Sequence, residues 1–197
     1  MADPDLEAPR GRPRDAQIDA AVLDAALVEL GERGYTGFSL TAVASAAGTT
    51  RPAIYRRWED KDALIVAAMA HLAEAELPPV VGVPFVDLVA ELENFRHCIT
   101  EAGSLPLAGL MLTDGIVPGV RAAYLERIVA PRRGRIRALL EAAVADGLLD
   151  RDADLDVAGS FLTGSWYAFG VAGRRPPADW ARRVATLVWR SCGGSID

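Results

Sequence analysis

The stretch "FSLTAVASAAGTTRPAIYRRWEDKDAL", residues 38–64, constrains the fold most. Ser39, Thr50 and Asp60 each precede a short run with helical character, and each is a good N-cap. Ala47 and Gly48 make a tight corner between the first two runs. Pro52 falls in the first turn of the second run, where its missing N–H costs little. The spacing therefore predicts a short helix to about Ala46, a second beginning at Arg51, and a longer third starting near Lys61. Two short helices around a glycine-containing turn form a helix-turn-helix. Upstream, Ile18, Val22, Ala26 and Leu30 stand four apart, one stripe of a helix over residues 15–33. Gly34 stops it where a left-handed cap residue is wanted. Leu40, Val43, Ala44, Ile54 and Trp58 then pack on Val22, Ala26 and Leu30. Arg51, Ala53, Arg56 and Arg57 are left facing outward or sideways. The second helix of such a unit enters the major groove of DNA by its N-terminal residues.

The rest of the chain also reads as helix, with no convincing period-two run, so the predicted class is all-α. After the corner "LPPVVGVPF", helices are expected over 85–102, 104–114, 119–146, 153–173 and 178–192. Pro131 should kink or break the long 119–146 segment near Val129. The last helix is expected to place Trp180, Val184, Leu187, Val188 and Ser191 on one face. The predicted organisation is a flexible basic arm over 1–14, a three-helix helix-turn-helix domain over 15–60 and a second helical domain over 61–197. No apolar run is long enough to span a bilayer, and no export signal is apparent, so a cytoplasmic, nucleoid-associated location without membrane contact is expected. Cys98 and Cys192 lack metal-type spacing and read as buried thiols.

Charge distribution says more than total charge. The 197 residues carry a net −6, with a pI near 5.0. Residues 10–61 hold eight basic and seven acidic side chains, a net of +1, so the remainder carries −7. The basic groups sit at the ends of that region: Arg10, Arg12 and Arg14, then Arg51, Arg56, Arg57 and Lys61. An acidic protein can still present one basic face to a polyanion. The "RGRPR" stretch is either a solvated tail or an arm whose arginines enter the minor groove of A·T-rich DNA.

Residues 38–64 resemble the DNA-binding domain of the TetR family of bacterial transcription regulators. The family pattern appears as Gly34 at the end of the first helix, Thr41 near the start of the second, Ala47-Gly48 at the turn, Ile54-Tyr55 with Trp58 on the recognition helix, and Lys61 opening helix four. The resemblance covers about residues 15–70. It implies a homodimer on a roughly palindromic operator, with a second helical domain for dimerisation and small-molecule sensing. It implies phosphate contacts from Thr41, Tyr55 and Lys61, with Thr50, Arg51 and Ala53 near base edges. These residue types suit those roles. Hydroxyls and an ammonium donate to phosphate oxygens, arginine can bond guanine with two prongs, and an alanine methyl can pack on a thymine methyl. Arg56 joins this basic face. Thr49-Thr50 and Pro52 depart from the commoner family residues, which leaves the operator sequence open. With a DNA-binding head behind it, the arm is expected to bind the flanking minor groove through Arg10, Arg12 and Arg14.

In the second domain, Phe95, Met111, Trp166 and Phe169 are the candidates to line an apolar or amphipathic effector site. Most other large apolar groups there serve as core. The small residues Ser160, Gly164, Ala168 and Ala172 form a stripe that allows close helix approach, across a two-fold axis or within one subunit. The dimer reading pairs Ser160, Gly164 and Ala168 with Val184 and Val188 of the last helix. His97-Cys98 supplies too few ligands for a metal, and no cofactor is expected. Arg132, Arg133, Arg135 and Arg137 read as a solvated helix face paired with Glu141 and nearby acids. Repression released by the effector is the family default. Two rivals remain: an architectural A·T-rich DNA binder acting through the arm, and a helical enzyme, for which no base, nucleophile or metal set nominates itself.

Overall fold

Three side-chain caps start the short helices where the sequence places them. Ser39 Oγ accepts from the Ala42 amide at 3.3 Å, Thr50 Oγ1 from the Ala53 amide at 3.4 Å, and Asp60 Oδ1 from the Ala63 amide at 2.7 Å. Each cap satisfies an amide that the first helical turn would leave without a partner. The computed structural model describes residues 12–75, 77–101 and 118–196. Its elements are α1 (Arg12–Gly37), α2 (Leu40–Ala46), α3 (Arg51–Tyr55), α4 (Lys61–Ala75), α5 (Pro84–Glu101), α6 (Pro118–Tyr124), a π turn (Leu125–Val129), α7 (Ala130–Ala145), α8 (Leu155–Val171) and α9 (Trp180–Ser191). Among the described residues there is no strand, and the fold is all-α. The helix expected over 104–114, with Met111, lies outside the described residues.

Gly34 breaks the helical path of α1 at φ 65°, a conformation that suits glycine. At the other end, α1 begins at Arg12, three residues earlier than the periodicity suggests. The backbone of residues 12–14 is therefore helical and not an extended arm, and Pro13 sits in the first turn, which tolerates it. Arg10, and the side chains of Arg12 and Arg14, lie outside the described residues.

Among the described residues, two apolar cores organise the molecule. The first joins Val22, Ala26 and Leu30 of α1 to Val43 and Ala44 of α2 and Ile54 of α3, with Trp58 packed at its edge. It continues through Leu64, Ile65, Ala68 and Met69 of α4 and reaches Tyr124 and Ile128 at the π turn. One core thus spans the helix-turn-helix and the first layer of the second domain. The second core lies among α5, α7, α8 and α9 and holds Leu88, Leu92, Phe95, Leu140, Leu162, Trp180 and Trp189.

The break expected near Val129 is the π turn. The Ala130 amide donates to the Leu125 carbonyl, one residue farther back than in an α-helix. This shift precedes Pro131, which has no amide to offer, and lets α7 continue. The linker ahead of α5 is pinned by buried Asp87, whose carboxylate accepts from the Val81 amide at 2.8 Å and the Gly82 amide at 2.9 Å.

The last helix corrects one expectation. Val184 and Val188 are buried in the chain's own core, on the same helix face as Trp180, Ala181, Ala185 and Trp189. They are therefore not available for packing across a two-fold axis. Leu187 and Ser191, expected on the same face, are exposed instead. On α8, Ser160, Gly164 and Ala168 are exposed, as are Phe161 and Val171.

Candidate nucleic-acid interface

The exposed edge of the helix-turn-helix carries hydroxyls and cations. Thr41 on α2 is exposed, as are Thr50, Arg51, Tyr55 and Arg56 around α3. Ala53 is half-buried, and Ile54 turns into the core. Arg51 lies along its own helix, with Nη2 donating to the Tyr55 hydroxyl at 3.4 Å and the guanidinium 5.8 Å from that ring's centroid. A long, exposed bond of this kind holds the side chain weakly, so it can swing to a base edge. Arg57, in contrast, is anchored: it pairs with Asp19 of α1 and donates to the Ala53 carbonyl at 3.2 Å. It braces α3 against α1 rather than facing outward.

Lys61 opens α4 and is held by the end of α1. Its ammonium donates to the Tyr35 carbonyl at 3.1 Å and sits 4.1 Å from the Tyr35 ring centroid. An ammonium has three donors, so two remain for an outside acceptor such as phosphate. Tyr35 in turn donates its hydroxyl to Asp62 at 2.7 Å. Burial first, then that bond and the charges of Asp62 and Asp60, push the Tyr35 hydroxyl up to about 12. Tyr35 was not among the sequence candidates. Its signal was an aromatic residue directly after the helix-ending glycine. The structure thus gathers Thr41, Thr50, Arg51, Ala53, Tyr55, Arg56 and Lys61 on the helix-turn-helix and the start of α4.

Behind this head, α4, α5, the π turn, α7 and α8 enclose a small cavity of about 20 Å³. Its lining includes Met69, Leu72 and Ala73 of α4, with Tyr124, Arg132 and Tyr167. Of the sequence candidates for an effector site, Phe95 and Trp166 do not line it. They form an aromatic cluster with Trp180, with Phe95–Trp180 centroids 5.8 Å apart and Trp166–Trp180 centroids 5.0 Å apart. Trp180 Nε1 donates to Ser165 Oγ at 3.0 Å, which satisfies that buried indole. Phe169 lies under the Arg174 guanidinium at 5.5 Å. A larger surface groove of about 310 Å³ runs between the linker, α5 and α7, past Val80 and Leu139, and touches no residue of α4.

The arginines of α7 also differ from expectation. Arg137 does pair on the surface, with Glu141 at 2.7 Å and Asp156 at 2.6 Å. Arg132, however, is buried, and Arg135 is half-buried. Both turn toward Glu91 of α5, which is itself buried. An isolated buried carboxylate would be costly, and the two arginines offset that cost. Arg132 also stacks 5.3 Å from the Phe95 ring centroid, so Phe95 acts as a support for this charged cluster. Nearby, burial raises the hydroxyls of Tyr124 and Tyr167, and the two are bonded to each other.

Among the described residues, no group of three or more His, Cys, Asp or Glu side chains is arranged to hold a metal, and no helix is long and apolar enough to cross a membrane. Cys98 and Cys192 are buried, and no disulfide joins them.

Known proteins resolve the class. Residues 22–68 match the family model for bacterial regulatory proteins of the TetR family, and residues 81–188 match that for the tetracycline repressor-like C-terminal domain. An uncharacterised HTH-type transcriptional regulator, YdeS of Bacillus subtilis (strain 168), is 28% identical over 160 residues, 81% of each chain. The crystal structure of the TetR family transcription regulator SCO0332 superposes with a TM-score of 0.69 and 26% identity, covering 92% of this chain and all of that one. The Bacillus subtilis regulator FadR, solved in complex with stearoyl-CoA, shares the fold at a TM-score of 0.64 and 13% identity, over 90% of this chain and 98% of that one. These relatives are transcriptional regulators and not enzymes. With its helix-turn-helix and helical C-terminal domain, the chain belongs to the TetR family of bacterial transcription regulators.

Proposed function

We propose that the protein is a ligand-responsive repressor that binds a palindromic operator as a homodimer and is released by a small apolar or amphipathic effector. The carrying observation is the continuity of the first core. Its α4 residues pack on the helix-turn-helix at one end and on Tyr124 and Ile128 at the other. A ligand that displaces α4 would therefore move the recognition helix with it. Two reading heads must match half-sites about one helical turn or a multiple apart, so a small splay removes most specific affinity. The ligand need only prefer the splayed state.

In this reading Arg51, Thr50 and Ala53 approach base edges. Thr41, Tyr55, Arg56 and Lys61 hold phosphates, and Arg10, Arg12 and Arg14 contact the flanking DNA. The dimer surface is the exposed face of α8 and α9, where Phe161 is 64%, Val171 90% and Leu187 69% exposed beside Ser160, Gly164 and Ala168. Apolar groups gathered on one face favour a partner surface over water. A two-fold axis through this face would bury the same patch from both copies.

The test is selection of bound sequences from a random DNA pool, at stated salt, with the full chain and with a version lacking residues 1–14. The expected result is one short palindrome from both, with A·T-rich flanks only from the full chain. Scattered A·T-rich sites that vanish on truncation would instead make the arm the binder and overturn the proposal.

A further inference from the structure

The charges around Glu91 do not balance. Arg135 takes both carboxylate oxygens, Nε to Oε2 at 3.0 Å and Nη2 to Oε1 at 2.8 Å. Arg132 is left with a 3.5 Å approach of Nε to Oε1 and a long bond from Nη2 to Asn94 Oδ1 at 3.4 Å. Its side chain is only 8% exposed, and its Nε has no hydrogen-bond partner. Among the described residues, two guanidinium groups thus share one carboxylate, and the surplus positive charge sits on the buried one. A buried charge without a full partner is costly to keep.

That charge lies on the wall of the small cavity. Among the described residues, the others that line it are Met69, Leu72 and Ala73 from α4, Cys98 and Ile99 from α5, Tyr124 and Ile128 from the π turn and its edge, and Tyr167 from α8. None of these carries a negative charge. The Tyr124 and Tyr167 hydroxyls are bonded to each other, and two hydroxyls so paired keep one proton between them for a third acceptor. One surplus cation, one free hydroxyl donor and aliphatic walls meet at one place.

We propose that this cavity is the recognition end of the effector site, and that its ligand is an amphipathic monocarboxylate. The carboxylate accepts from the Arg132 guanidinium and from the remaining hydroxyl proton of the Tyr124–Tyr167 pair, a charge-assisted arrangement. The apolar body lies along Met69, Leu72 and Ile99. A monoanion matches the single surplus charge, whereas a dianion would be under-compensated and a cation repelled. A cavity of about 20 Å³ holds roughly one water, so the body can enter only by moving α4 away from α5 and the π turn. This inference rests on the reading of the chain as ligand-responsive.

The test is thermal unfolding of the full chain with octanoate, decanoate and benzoate, against decanol and decylamine as neutral and cationic counterparts. At least one acid should raise Tm by about 2–4 °C or more, and neither counterpart should. Arg132→Met should abolish the acid's shift, and the exposed Arg133→Gln should keep it. Without any ligand, Arg132→Met should melt within about 2 °C of wild type or above it, because Glu91 keeps both bonds to Arg135. A larger drop would make Arg132 a structural strut and overturn the proposal. So would a panel in which no acid shifts Tm, or an acid shift that survives Arg132→Met. Operator release, measured in parallel, separates the two readings. Acids that stabilise without releasing DNA would sink the ligand-responsive reading and leave the site standing. Release by decanol or decylamine, with the acids inert, would do the reverse.

Discussion

The reading head and the second domain use the same side chain in opposite surroundings. Around α3, Arg51 and Arg56 stand in solvent, and Arg51 rests on Tyr55 through a long 3.4 Å bond and the ring face. On α7, Arg132 is buried and Arg135 half-buried, and both turn on one buried carboxylate. A solvated arginine costs little to keep and waits for a polyanion from outside. A buried one must have its charge compensated within the fold, or by something that enters it. The comparison teaches that arginine count says nothing of role here, and that desolvation decides it.

The largest expected effect falls on the buried side. Glu91→Gln removes the one carboxylate that the two arginines share, so the full chain should lose about 3–5 kcal/mol in urea unfolding. A loss below about 1 kcal/mol would mean that water or other groups already solvate the cluster, and the contrast with the head would collapse. On the exposed side, Arg51→Ala should leave unfolding stability almost unchanged, as expected for a surface substitution. It should cost about 1–3 kcal/mol in binding the selected operator and relax base preference at one position per half-site. A uniform loss across all DNA sequences would reassign Arg51 to the phosphates.

A smaller effect tests the joint between α1 and α4. The Tyr35 hydroxyl, with a folded-state value raised from 10.0 to about 12, must stay protonated to donate to Asp62. A raised folded value adds stability that is fully present below pH 10 and is lost as pH climbs through about 12. Tyr35→Phe should therefore flatten the alkaline limb of the stability profile across that window. An unchanged limb would show that the Tyr35–Asp62 bond does not contribute to holding α4 against α1.

How much of this was readable in the sequence follows from the same contrast. The caps at Ser39, Thr50 and Asp60 act over three residues, so local composition suffices to place them. The Gly34 break and the stripe from Val22 to Leu30 are similarly local. The Glu91–Arg135 pair joins residues 44 apart, and no spacing rule connects α5 to α7. That is why the α7 arginines read as a solvated face. Val184 and Val188 failed for a related reason. Their stripe is real, but a stripe cannot say whether its partner lies in the same chain, and here that partner is α5 and α8 in the second core. Phe95 and Trp166 stand 71 residues apart in the chain yet meet edge to face at 6.5 Å, a contact between α5 and α8 that no spacing rule gives.

The account's central claim is that α4 links the cavity to the reading head. Ala73 tests it most directly, because it lines the cavity from α4, three turns from the Lys61 end. The measurement is operator affinity of Ala73→Phe, whose ring occupies the space a ligand would open, with helix content checked by circular dichroism. The account predicts a folded protein that binds the selected operator at least about tenfold more weakly with no ligand present. A folded Ala73→Phe protein with wild-type operator affinity would contradict it.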